Sequence, residues 1–165
     1  MRSPFILRRL LGPLAMGLWF ACAFVPAAAR QATTDIAVVV HADVPVENLT
    51  RADLRRILLG DREFWPSGVR VTLLIRAPIS RERDVVVKDV CEMSEAQFRQ
   101  HWIGKVFRAE VGSGPKIVYS QESALEQVSA TPGAITLVEA PIAGKNSKVL
   151  KIDGKTPGQP GYPLK

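Results

Sequence analysis

The chain has few of the residues that most often carry chemistry. Among its 165 residues are two cysteines and two histidines. Cys22 lies in an N-terminal apolar stretch expected to be removed. That leaves Cys91, and one thiol closes no internal disulfide. Stability must then come from a packed core. Cys91 sits beside Val87 and Val90, the setting of a buried, inert thiol more than of an intermolecular disulfide. His41 and His101 stand far apart with no neighbouring ligand pair, so no metal site is expected. The Gly-x-Ser-x-Gly elbow and the His-Glu-x-x-His zinc motif are both missing. No catalytic residue and no cofactor is assigned, and the chain reads as a non-enzyme. It has no internal repeat.

Long apolar runs are scarce too. Leu10 to Val25 is apolar but shorter than the ~20 residues of a spanning helix. Arg2, Arg8 and Arg9 precede it, and Ala27-Ala28-Ala29 offers a small-residue cleavage site after it. Residues 1–29 therefore read as a secretory signal peptide and not as a membrane anchor. Arg8-Arg9 lacks the flanking Ser and Lys of a twin-arginine signal. Trp19 and Phe20 are too bulky for a lipobox ahead of Cys22. The expected location is the periplasm, with one domain over residues 30–153 and a Pro/Gly-rich tail over 154–165.

Acid is the minority charge: 16 Asp and Glu face 22 Lys and Arg, for a formal charge of +6. The leader takes three arginines and no acid, so a mild cationic excess persists. It suits an anionic ligand or an acidic partner surface. Export argues against nucleic acid.

What the chain does have is strands alternating with helices. Asp35 to His41 is an apolar, β-branched run and reads as a buried strand. Thr50 is a good N-cap for a helix that carries Leu54, Ile57 and Leu58 on one face and stops at Gly60. Phe64, Trp65 and Pro66 are expected to cover the core. Val69 to Ile75 reads as a strand. Ser80 is expected to cap a helix that runs through Val85, Val86, Val87 and Val90, residues of weak helix propensity. Ser94 with Gln97 forms a capping box for a helix carrying Phe98 and Trp102. Lys116 to Tyr119, Ala134 to Glu139 and Lys148 to Ile152 read as further strands, with a helix capped by Ser120 between the first two. The expected fold is α/β, an open mixed sheet flanked by helices.

In such sheets ligands sit beyond the carboxyl ends of strands, near helix N-termini. The candidate oxyanion site is therefore the loop after Ile75. Arg76 ends the strand, and Ser80 opens a helix whose first N–H groups lack intrahelical partners. Arg81 and Arg83 add charge, and a guanidinium fork can hold phosphate oxygens in pairs. Gly112-Ser113-Gly114 offers further backbone donors. Against this, Glu82 and Asp84 occupy the first turn, where acids already satisfy the positive helix end and repel an anion. On that alternative the arginines pair with Glu82, Asp84 and Asp89 on a solvated face.

Several segments, taken in order, resemble the periplasmic phosphate-binding proteins, the solute receptors of phosphate ABC importers. "NLTRADLRRILLG" (48–60) is similar to the helix that opens their second lobe, and "VTLLIRAPISRERD" (71–84) falls where they carry a strand and an Arg-Ser-Asp-Gly-Ser-Gly-Thr phosphate loop. Arg76 and Ser80 match that loop, while Arg81 and Glu82 replace its glycine and threonine. "IAVVVH" resembles their crossover strand, "MSEAQFRQHWIGKVF" the Trp-bearing helix of short relatives, "TPGAITLVE" a late strand and "GYPL" the return to lobe one. The resemblance implies a single lobe of a type-2 periplasmic binding protein, without the lobe that would close over a ligand. It implies phosphate or another oxyanion as ligand, bound weakly if at all, and an inner-membrane transporter as possible partner. The alternative is an accessory module that has lost its solute and contacts a membrane protein or sensor.

Overall fold

The structure is a computed structural model that describes residues 34–144 and 147–165. The expected signal peptide, residues 1–29, lies outside the described residues. The elements run β1 (Ile36–Val40), β2 (Asn48–Leu49), α1 (Arg51–Leu58), β3 (Thr72–Arg76) and α2 (Arg81–Asp84). A π-helical stretch, Val85–Val90, continues α2. Then come α3 (Glu95–Phe107), β4 (Lys116–Val118), α4 (Gln121–Ala130), β5 (Ala134–Glu139), α5 (Ala140–Ala143), β6 (Lys148–Val149) and β7 (Lys151–Ile152).

Five strands form one mixed sheet in the order β4-β3-β5-β1-β6. β3 is parallel to β4 and to β5, whereas β1 is antiparallel to β5 and β6. Both faces are covered, which is why β1 is apolar throughout and β5 is apolar except for Thr136 and its terminal Glu139. Ile36, Val38, Val40, Ile135 and Leu137 join the core beneath α1 and α3. Ala37, Val39, Ala134 and Val138 alternate onto the other face, against Ala124 and Val128 of α4. Thr136 is the polar exception there, and its hydroxyl donates to the Leu74 carbonyl at 3.1 Å.

The expected clusters form. Leu54, Ile57, Phe98 and Trp102 share one core, and the Phe98 and Trp102 rings meet edge to face at 6.4 Å. Gly60 turns the chain after α1 with φ +71, and a Cβ there would stand 2.7 Å from the Trp102 ring. Left-handed backbone and close approach together demand glycine. Cys91 is buried, and burial pushes its thiol up to about 12.

Three expectations need correction. The run Lys148 to Ile152 is not one strand: β6 pairs with β1, β7 pairs with β2, and the fully buried Leu150 makes the joint between the two sheets. The Ser80 helix keeps α-geometry for four residues and then widens into the π stretch. β-branched residues crowd an α-turn, and here Val85, Val86, Val87 and Val90 are all buried. Phe64 is 53% exposed, whereas Trp65 is buried and donates its indole N–H to Gly133 O at 2.9 Å. The tail lacks regular structure but is well packed. Tyr162 and Leu164 are buried, with the Tyr162 hydroxyl donating to Ile36 O and the Ile36 amide to Leu164 O.

Candidate functional site

Because β3, β4 and β5 are parallel neighbours, their carboxyl ends share one edge of the sheet. Arg76, Val118 and Glu139 end the three strands there, and the caps of α2 and α4, Ser80 and Ser120, come next in the chain after β3 and β4. The loop from Ala77 to Ser80 is fixed from both ends. The Ala77 amide donates to Val118 O at 2.9 Å, and the Ser80 hydroxyl donates to Ala77 O at 3.0 Å. Ser80 Oγ also accepts the Arg83 amide at 3.3 Å, which makes it the N-cap the sequence predicts. Between these ties Ile79 is held at φ 70 and is fully exposed. Positive φ at a β-branched residue is strained backbone, kept only where its surroundings over-determine it.

Arg76, Ser80 and Arg81 come together at this edge, and Arg83 bridges from it to α3: one terminal nitrogen donates to Arg76 O at 3.4 Å while the rest of its guanidinium meets Glu95. Arg76 is largely buried and reaches Val118 O at 3.4 Å through one terminal nitrogen. Its Nε lies 3.8 Å from Oε1 of Glu82, whose side chain is only 4% exposed. Both atoms are buried without a hydrogen-bond partner among the described residues, and so is Nη2 of Arg81. The other terminal nitrogen of Arg81 faces Glu139 at 3.8 Å. Arg83 runs underneath to Glu95 at the start of α3, with bonds of 2.6 and 3.1 Å, and covers the Phe98 ring at 5.2 Å. Of the two acids in the first turn, Glu82 is buried at the edge, while Asp84 is exposed and pairs with Lys88 at 3.0 Å.

The edge is thus a small charge cluster, Arg76 and Arg81 against Glu82 and Glu139. A slight approach of Arg76 and Glu82 would satisfy both of their free atoms. That leaves Arg81 Nη2 as a buried cationic donor with nothing to bond, a costly state that an anion's oxygen would relieve. The Gly112-Ser113-Gly114 segment cannot help. It precedes β4 and so lies at the opposite edge, where the Arg70 guanidinium would stand 3.0 Å from a Cβ on Gly112.

Sequence reasoning gave no role to Glu139, Ile79 or Tyr119. Glu139 ends β5 directly before the Ala140-Pro141 start of α5, and its amide is bonded by the Gln121 side chain at 2.8 Å. Its place beside Arg81 depends on the order of the strands, which no local pattern carries. Tyr119 comes directly after β4 and is 82% exposed. Among the described residues, no group of three or more His, Cys, Asp or Glu side chains is suited to a metal ion.

This fold, a mixed sheet with helices on both faces, is that of phosphate receptors. A phosphate ABC transporter substrate-binding protein from Clostridium perfringens, solved with bound phosphate, superposes with a TM-score of 0.59. It is 18% identical, over 73% of this chain and 46% of its own. An ABC-type phosphate transport receptor from Vibrio cholerae gives 0.59 at 17% identity, over 75% of this chain and 48% of its own. PstS from Borrelia burgdorferi gives 0.57 at 19%, over 75% and 49%. The likeness is one of fold, and the chain spans about half the length of the structures it matches. No protein-family model matches the chain, and no curated protein matches it significantly in sequence. Among the described residues, no helix is long and apolar enough to cross a membrane.

Proposed function

We propose that this protein is a non-catalytic periplasmic binding protein, exported behind the leader at residues 1–29, whose carboxyl sheet edge receives a small oxyanion, phosphate or a relative. Arg76 and Arg81 supply charge, the Ser80 cap fixes the loop, and Arg83 ties that loop to α3. The observation that carries the reading is the buried, unbonded Nη2 of Arg81 at this edge. Binding is weak, because Glu82 opposes the anion and one lobe leaves it open to water. Affinity is then in roughly the millimolar to high micromolar range, about 4–6 kcal/mol.

Calorimetric titration with phosphate, sulfate and a few organic acids tests this. Arg81→Ala should abolish the heat. Glu82→Gln should strengthen binding modestly, and more at low salt, since it removes only like-charge repulsion. Silence toward every oxyanion at concentrations near the ~1 mM Kd scale and well above it would sink the reading.

A second reading is an accessory module that has given up its solute and contacts a membrane protein or sensor. It is favoured by the buried Glu82 at the helix end and by two exposed apolar side chains, Ile79 and Tyr119, at the same edge. A silent calorimeter would favour it.

A further inference from the structure

An inorganic anion leaves part of the carboxyl edge unused. Ile79 precedes Arg81 by two residues in the same loop, and its side chain is fully exposed. Tyr119 is 82% exposed. The peptide group that leads into Tyr119 is tied to that loop and to Arg76: Val118 O accepts the Ala77 amide at 2.9 Å and a terminal nitrogen of Arg76 at 3.4 Å. An aliphatic and an aromatic side chain therefore stand in water at the edge where Nη2 of Arg81 is buried with no hydrogen-bond partner among the described residues.

A lone exposed apolar side chain is ordinary. Ile79 differs in its backbone. It is held at φ 70, where glycine or asparagine would sit with less strain and a β-branched residue is an outlier. The bonds from Ala77 to Val118 and from Ser80 to Ala77 keep the loop in that shape. Local strain maintained by its surroundings points to a role in function. What this strained position presents to solvent is hydrocarbon, close to a cation. Inorganic phosphate and sulfate have no surface to cover it. An oxyanion joined to an apolar body does. Its charged end meets Arg81, and its body lies over Ile79 and the face of the Tyr119 ring, which suits stacking. Both side chains are already out in water, so such a body enters without displacing the core.

We propose that the ligand of this edge is an organic oxyanion, an anionic group carried on an aryl or alkyl body, with Ile79 and Tyr119 as the residues that select the body. This rests on the oxyanion reading of Arg81 and adds specificity to it.

Calorimetric titration of the purified chain compares phenyl phosphate with inorganic phosphate, glycerol phosphate and phenol. Phenyl phosphate should bind about tenfold more tightly than inorganic phosphate, as expected when part of two apolar side chains leaves water. Glycerol phosphate, the same anion on a polar body, should bind no more tightly than inorganic phosphate. Phenol, the body without the anion, should not bind. Ile79→Asn keeps a residue that tolerates positive φ, and Tyr119→Ser alters an exposed side chain, so both variants should fold. Each should bring phenyl phosphate down toward inorganic phosphate and leave the affinity for inorganic phosphate unchanged. If inorganic phosphate binds and phenyl phosphate binds no more tightly, this inference is overturned while the oxyanion reading stands. A phenyl phosphate advantage that survives both substitutions would overturn it equally. If neither anion binds, the oxyanion reading itself fails and this inference with it.

Discussion

At the start of α3, Ser94 accepts the Gln97 amide at 3.2 Å, and the Gln97 side chain returns to the Ser94 amide at 2.8 Å. At the start of α2, Ser80 accepts the Arg83 amide in the same way. The caps are alike, but the first turns behind them differ. The first-turn acid of α3, Glu95, is part-exposed and meets its cation, Arg83, in two good bonds. Glu82, one of the two first-turn acids of α2, is buried, and it and the cations around it keep unbonded atoms. A capped helix end is therefore not by itself a binding site. What marks the α2 end is charge held out of water without full compensation, which costs stability unless a ligand supplies the missing bond.

The α3 side of this comparison breaks most severely at Trp102. Trp102→Ala should cost about 3–5 kcal/mol in chemical denaturation, the range for deleting a large buried aromatic. An unchanged midpoint would show that α3 is not anchored through this ring. Glu95→Ala should cost about 3 kcal/mol, because it strands the buried Arg83 cation without a partner. A loss below ~1 kcal/mol would mean that the pair acts like an exposed one. The caps themselves should be equal and smaller, with Ser80→Ala and Ser94→Ala each costing about 1 kcal/mol. A much larger cost at Ser80 would show that the cap also supports the charge cluster.

Cys91 should have the smallest effect at neutral pH. Burial raises its thiol from 9.0 to about 12, so the associated stability is complete below pH 9 and is lost as the pH rises toward 12. The native thiol should resist alkylation until the protein unfolds, and Cys91→Ala should flatten the alkaline limb of the stability curve. Rapid labelling of the folded protein at neutral pH would refute the burial of this side chain.

Local chemistry was legible in the sequence. Thr50, Ser80, Ser94 and Ser120 each carry a side-chain oxygen ahead of a helical pattern, and all four are N-caps. The β-branched run of β1 announced a buried strand, and β5 was read as a strand. The order of the strands was not legible, because no local signal carries it. The fate of individual charges was not legible. Glu82 looks like an ordinary solvated first-turn acid, and it is buried because Arg76 at the end of β3 stands next to it. Arg83 looks like another edge cation, yet the turn of α2 places it under the helix pair against Phe98. Glu139 gains Arg81 as neighbour only through the placement of β5 beside β3. The split of β6 from β7 at Leu150, and the burial of Tyr162 and Leu164 in a segment rich in proline and glycine, likewise arise from tertiary packing.

The central claim is that the unbonded guanidinium atoms of the carboxyl edge await an oxyanion. NMR titration of the purified chain with phosphate tests it most directly, by following the Arg76 Nε–H, the Arg81 side-chain resonances and the amides of Arg81 and Glu82. The expected result is saturable shifts at these groups, none at the Ser94 end, and loss of the response in Arg81→Ala. Shifts spread over the cationic surface without saturation, or no response at the edge well above the ~1 mM Kd scale, would contradict it.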